Sequence, residues 1–197
     1  FRPDTAIVSG FFIRESVVLF NSYIFLFCFL PISVAVFWLL ARFAHRRTAL
    51  VWLVLCSFFY YGYWNPVYVL LILISISFNF TIGFVLARGC EPSPRRKALT
   101  ALGLAGNLGL LAYFKYANFF VDSINYLFES SAYLAPVVLP LAVSFITFLQ
   151  IAYLVDAYKG KVKERDFIDY CLFVTFFPHL IAGPIVHHAK LMPQFSR

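Results

Sequence analysis

The sequence predicts an all-α, polytopic transmembrane helix bundle with five spans and one broken or re-entrant segment. Three observations predict it. Hydrophobic residues make up 62% of 197 positions and charged residues 13%, about half the charged share of a soluble domain. A soluble fold of this size has no interior large enough to hide that apolar surface. The basic residues also fall in short clusters between long uncharged runs, as orientation signals at membrane spans do.

The first span lies in Val17–Ala41, 25 residues without a formal charge, or about 37 Å of helix. That crosses a hydrocarbon core of about 30 Å with some tilt. Pro31 sits mid-run and is expected to kink it, and Arg42, His45, Arg46 and Arg47 stop it. The run exceeds a signal-peptide core, so it is read as a retained span. Residues 1–16 mix charges with apolar residues without a period and form a separate N-terminal segment.

Thr48–Ala87 gives 40 uncharged residues, enough for two crossings, with Trp64-Asn65-Pro66 supplying the turn between spans 48–63 and 67–87. A basic loop, 88–97, follows with Arg88, Arg95, Arg96 and Lys97, broken by Pro92 and Pro94. The fourth span covers Ala98 to about Phe114. Lys115–Glu129 mixes Phe119, Phe120, Ile124 and Leu127 with Asn118, Asp122 and Asn125, and is expected to be an interfacial helix. Ser130–Val155 contains the fifth span. The last apolar stretch, Phe167–Val186, is interrupted by Asp169, Pro178, His179, Gly183 and Pro184. Such a segment is tolerated at membrane depth only when buried in protein or lining a cavity, so it either bends across or re-enters.

Charge tests the order. With the N-terminus outside, the cytoplasmic loops 42–47, 88–97 and 157–166 hold 11 of the 16 lysines and arginines, and the outer connections 64–66 and 115–135 hold only Lys115. That is the positive-inside asymmetry. The net charge of +7 therefore needs no nucleic-acid partner; the partner is the lipid bilayer. The four cysteines show no metal or redox spacing, and no P-loop, dinucleotide fingerprint or nucleophile elbow occurs.

Two small-residue stripes repeat every four positions, Ser75/Asn79/Gly83 and Ala101/Ala105/Gly109. They suit close helix packing, which is favoured over a substrate path. Asn79-Phe80-Thr81 matches a glycosylation pattern but sits inside a span. Ser144, Thr147 and Gln150 fall within about 120° on one helix. Such a stripe faces protein or water, with structural hydrogen bonding favoured over cavity lining. His179 is the candidate for chemistry, as an ionisable group within a membrane segment, although cavity lining or structural support is favoured for it too. His187 and His188 have no nearby cluster to complete a metal site, so no metal is expected.

Several stretches together resemble the bacterial membrane-bound O-acyltransferases of the alginate O-acetylation type. They are Asn21 to Pro31, Ser57-Phe58-Phe59-Tyr60 with Trp64-Asn65-Pro66, and Leu111-Ala112-Tyr113-Phe114-Lys115-Tyr116-Ala117-Asn118-Phe119. Further along come Leu139-Pro140-Leu141 through Ser144-Phe145, Ile151-Ala152-Tyr153-Leu154-Val155-Asp156-Ala157-Tyr158-Lys159-Gly160, and Phe177-Pro178-His179-Leu180-Ile181-Ala182-Gly183-Pro184-Ile185. The resemblance covers residues 17–197, read as the N-terminal part of the family's transmembrane domain. One departure is Ala142, where the family commonly has glycine, expected at most to tighten a helix contact.

The resemblance implies an integral protein of the bacterial inner membrane. It moves an acyl group, acetyl from acetyl-CoA or another donor, toward a cell-surface polysaccharide hydroxyl, often with an exported acetyltransferase partner. The acceptor stays open among alginate-like exopolysaccharide, peptidoglycan, cellulose and teichoic acid. The family's catalytic histidine lies in a Trp-His-Gly-like stretch that these 197 residues lack. No catalytic residue is therefore expected here, and Ser144, Thr147, Gln150, His179, Gly183 and Pro184 are candidates for the passage wall. The competing readings are a transporter or flippase, for which no internal repeat is found, and an inactive truncated fragment.

Overall fold

The computed structural model describes residues 23–89, 93–128, 139–140, 142–162 and 166–178. Among them every regular element is a helix. We number the helices α1 (Phe25–Phe43), α2 (Arg46–Trp64), α3 (Pro66–Arg88), α4 (Pro94–Phe128), α5 (Val143–Tyr158) and α6 (Phe167–Thr175).

Three of them, α1, α3 and α4, are long and apolar enough to cross a membrane, and α5 is a shorter apolar helix of 16 residues. Helix α2 has the length, 19 residues, but begins on Arg46-Arg47 and carries Trp52, Tyr60, Tyr61 and Tyr63, which lower its hydropathy. The five-span count is therefore not reached on length and apolarity alone. The outer surface fits a bilayer all the same: Trp38, Leu39, Phe59, Leu70, Ile74 and Phe148 are exposed, whereas Asn79, Asn107, Thr147 and Gln150 are buried.

Each boundary has a local cause. The first five residues of α1, Phe25–Phe29, are wound as a π-helix just ahead of Pro31, with the Leu30 amide reaching back to the Phe25 carbonyl. A proline leaves a carbonyl one turn earlier without its amide donor, and widening that turn is one way to absorb it. Asn65 ends α2 in an extended conformation and caps α3, its Oδ1 accepting from the Val67 amide at 3.1 Å, with Pro66 in the first turn. This is the turn expected at 64–66.

The expected interfacial helix at 115–129 is not separate. Helix α4 runs unbroken for 35 residues, about 52 Å, because no proline interrupts it after Pro94. Its last turns, with Phe119, Phe120, Tyr126, Leu127 and Phe128 exposed, extend past the length one crossing needs.

Helix α5 wedges between α3 and α4, and both approaches run over glycine. A Cβ on Gly83 would lie 2.6 Å from Tyr153 Cζ, and one on Gly103 would lie 2.6 Å from Leu154 Cδ1. Neighbouring side chains of α5 thus press on two different helices. The Ser75/Asn79/Gly83 stripe faces this seam. The Ala101/Ala105/Gly109 stripe does not: those three residues are exposed, and the buried face of α4 is Thr100, Gly103 and Asn107. Alanine tolerates either side of a helix in lipid, whereas Asn107 must turn inward to find partners.

The basic connections gather at one end. At the start of α4, one nitrogen of the Arg96 guanidinium donates to the carbonyls of Leu86 (3.3 Å), Ala157 (3.5 Å) and Tyr158 (2.8 Å). It thereby ties the last turns of α3 and α5 together, where a cation suits the helix dipoles. Arg47, at the start of α2, pairs with Asp166 at 3.2 Å. The described residues of loops 42–47, 88–97 and 157–166 are therefore anchored at the same end of the bundle.

Ala142 opens α5 with φ 56° and ψ 16°, the left-handed region. The departure from glycine expected to affect a helix contact falls instead on a backbone conformation that glycine adopts freely.

Candidate functional site

Two features of the interior carry polar chemistry. The first is a carboxamide cluster joining α3, α4 and α5. Gln150 Oε1 accepts from Ser75 Oγ at 2.8 Å and from Asn79 Nδ2 at 3.1 Å. Asn79 and Asn107 bond reciprocally, Asn107 Nδ2 donating at 2.6 Å and Asn79 Nδ2 at 3.2 Å. Asn79 Nδ2 also reaches the Ser75 carbonyl at 2.9 Å, and Asn107 Nδ2 reaches the Gly103 carbonyl at 2.8 Å. In a medium without water, each such group must find its partner inside the bundle.

One donor in this cluster is left over. Gln150 is fully buried, both bonds fall on its oxygen, and its Nε2 has no partner among the described residues. Exchanging the amide's oxygen and nitrogen would set two NH2 groups face to face at Asn79, so the acceptor orientation is fixed. Tyr170 Oη on α6, whose ring packs on Tyr153 at 4.3 Å between centroids, is likewise buried without a partner among the described residues.

The second feature is the end of α6. The helix stops after Thr175, Phe176 leaves helical geometry at ψ 107°, and Phe177 and Pro178 continue beyond it. The Phe177 amide freed by the break donates to Ser57 Oγ on α2 at 3.3 Å, while that hydroxyl donates to the Leu53 carbonyl at 2.8 Å. The Phe177 ring sits among Phe25, Phe29 and Tyr60 at 6.0, 5.2 and 6.1 Å between centroids. A broken segment inside a bundle needs this kind of compensation.

Of the residues expected to line a passage, the structure places three. Thr147 is buried and its Oγ1 returns to the Val143 carbonyl at 2.8 Å. Gln150 belongs to the cluster, and Ser144 is half-buried near the start of α5. His179, Gly183 and Pro184 lie outside the described residues, as do all of residues 179–186, the part of 167–186 that would decide whether it crosses or re-enters. Among the described residues no group of three His, Cys, Asp or Glu could hold a metal ion.

Asn79, Asn107, Ser75 and Ser57 were not singled out as polar partners from sequence. The signal was present for the asparagines: a carboxamide in an uncharged span needs a partner, the same reasoning that marked Gln150. For Ser57 there was none, because the break it caps lies 120 residues away.

Comparison with known proteins supplies what the geometry does not. No family model matches the chain, and no solved structure matches it. Among curated proteins, it is 39% identical to a peptidoglycan O-acetyltransferase of Helicobacter pylori, over 93% of this chain and 40% of the relative. It is 37% identical to a probable alginate O-acetylase of Pseudomonas putida (91% of this chain, 37% of the relative). The counterpart in Pseudomonas aeruginosa is 34% identical, over 91% and 35%. The chain thus spans about 40% or less of the length of these relatives. It is a membrane protein, and it belongs to the bacterial membrane-bound O-acyltransferase family, in the alginate O-acetylation-type branch.

Proposed function

We propose that the chain is the N-terminal part of an integral-membrane O-acyltransferase that carries an acetyl group toward a cell-surface polysaccharide hydroxyl. The observation that carries this reading is similarity over more than nine-tenths of the chain to O-acetyltransferases named for two different polysaccharides. Acetyl-CoA is the donor in this reading, and an exported acetyltransferase is the partner that completes delivery. The bundle crosses the inner membrane five times with its N-terminus outside. The gathering of the three basic loops at one end supports that order.

Acetyl transfer forms one C–O bond and breaks one C–S bond. The acceptor hydroxyl loses its proton to a general base, attacks the thioester carbonyl, and the thiol leaves with a proton. These residues supply no such base in our reading; they supply the wall. The wall must exclude water and orient the acyl group. Ser144, Thr147, Gln150, His179, Gly183 and Pro184 are its proposed members. Gln150 is the best supported, since its buried Nε2 holds two N–H groups suited to a carbonyl oxygen.

The test uses labelled acetyl-CoA and membranes from a strain lacking endogenous O-acetylation. The 197 residues alone are expected to transfer no label, and a chain extended to the relatives' full length is expected to transfer it. Transfer by the 197 residues that depends on His179 would overturn the assignment of this chain as wall.

A further inference from the structure

The basic end of the bundle carries more positive charge than its own architecture uses. Arg96 is committed to the carbonyls of Leu86, Ala157 and Tyr158, and it also lies over the Tyr158 ring at 5.4 Å. That clamp forces the neighbours of these residues together. Arg88 follows Leu86 by two positions and stacks over Phe84 at 4.1 Å. Arg95 and Lys97 flank Arg96, and Lys159 and Lys161 follow Tyr158. All five are exposed.

Of the described acids at this end, Asp156 is half-buried and Asp166 pairs with Arg47, while Glu91 and Glu164 lie outside the described residues. The first turn of α4 contains Arg95, Arg96 and Lys97 and no acid. Cations are unfavourable at that end of a helix dipole, and an external anion relieves both the dipole and the mutual repulsion. This charge surplus sits where two apolar membrane helices end, at the level of the lipid headgroups.

We propose that Arg88, Arg95, Lys97, Lys159 and Lys161 form a binding surface for the phosphate of an anionic phospholipid headgroup, built by the Arg96 clamp. It requires the membrane location and is independent of acyl transfer. Placement at the span ends and the cation stacked on an apolar-helix phenylalanine favour a lipid phosphate over a dissolved one.

The test is native mass spectrometry of the 197-residue chain released from micelles containing equal phosphatidylglycerol and phosphatidylcholine. Phosphatidylglycerol adducts are expected to exceed phosphatidylcholine adducts by about fivefold or more, since each surface cation contributes about fivefold in binding. The variant R95Q/K97Q/K159Q/K161Q, checked for unchanged helicity by circular dichroism, is expected to lose most of that preference, with Arg88 alone remaining of the five. R42Q, which removes a cation outside this cluster, is expected to keep the preference. Equal retention by the unmodified chain, or a preference undiminished by the quadruple substitution, would overturn the surface. Displacement of phosphatidylglycerol by millimolar inorganic phosphate would overturn the lipid as its occupant. If the quadruple variant loses helicity, the pair K159Q/K161Q decides: an unchanged preference refutes the proposal and a reduced one supports it.

Discussion

Asn79 and Asn107, 28 residues apart on α3 and α4, hydrogen-bond each other in both directions, at 2.6 and 3.2 Å. The same Asn79 Nδ2 also reaches Gln150 Oε1 on α5 at 3.1 Å, so one asparagine holds three helices. Side-chain hydrogen bonds between membrane helices contribute about 0.6 kcal/mol on average and up to about 1.7. Asn107→Leu removes one partner and leaves the Asn79 carboxamide partly unpaired. It is expected to cost about 1–2 kcal/mol in thermal unfolding in detergent. Asn79→Leu combined with Asn107→Leu should cost less than the sum of the singles. An additive double-mutant cycle would show the pair to be uncoupled.

Gly83→Ala is expected to destabilise by about 1–3 kcal/mol, because the new methyl overlaps the Tyr153 ring, which is fully enclosed. Tyr153→Leu on the same background should recover part of that loss by removing the aromatic atoms that collide. A Gly83→Ala chain as stable as the parent would mean that α3 and α5 can separate at this point without cost.

Ala142→Gly should act in the opposite direction. The left-handed conformation at Ala142 costs about 1–2 kcal/mol for a residue with a Cβ. Glycine removes that cost but adds freedom to the unfolded chain. A net gain of about 0.5–1 kcal/mol is expected, visible as a higher midpoint in the same unfolding assay. A loss would mean that the methyl group's packing outweighs its backbone conformation.

These residues also show what could be read from the sequence and what could not. Helix ends were legible because their causes are local: Asn65-Pro66 turns the chain and caps the next helix within three residues. The polar stripe on α5 was legible because glutamine stands out in an apolar run. Which face of α4 turns inward was not, since alanine stripes suit lipid and protein alike, and only the positions of Ser75, Asn79 and Gln150 on other helices decide it. Ala142 was noticed by comparison with the family, but its meaning depends on φ, which no residue count reveals. The continuity of α4 was missed because polar residues at 115–125 imitate an interface, although nothing there breaks a helix.

Ser57 offers the most direct test of how the broken segment is held. Its hydroxyl is the acceptor for the Phe177 amide, beside an aromatic cluster contributed by α1 and α2. Ser57→Ala leaves that amide buried without its partner, at a cost of about 1–3 kcal/mol. Because the break is local, the loss should concentrate there: hydrogen exchange at Phe176 and Phe177 is expected to accelerate by roughly tenfold or more, while amides in α3 and α5 keep their protection. Ser57→Thr retains the oxygen and should restore slow exchange. If Ser57→Ala accelerates exchange evenly across the bundle, the hydroxyl serves general packing and not the break. If exchange at Phe177 stays unchanged, the segment is held by the rings of Phe25, Phe29 and Tyr60 alone.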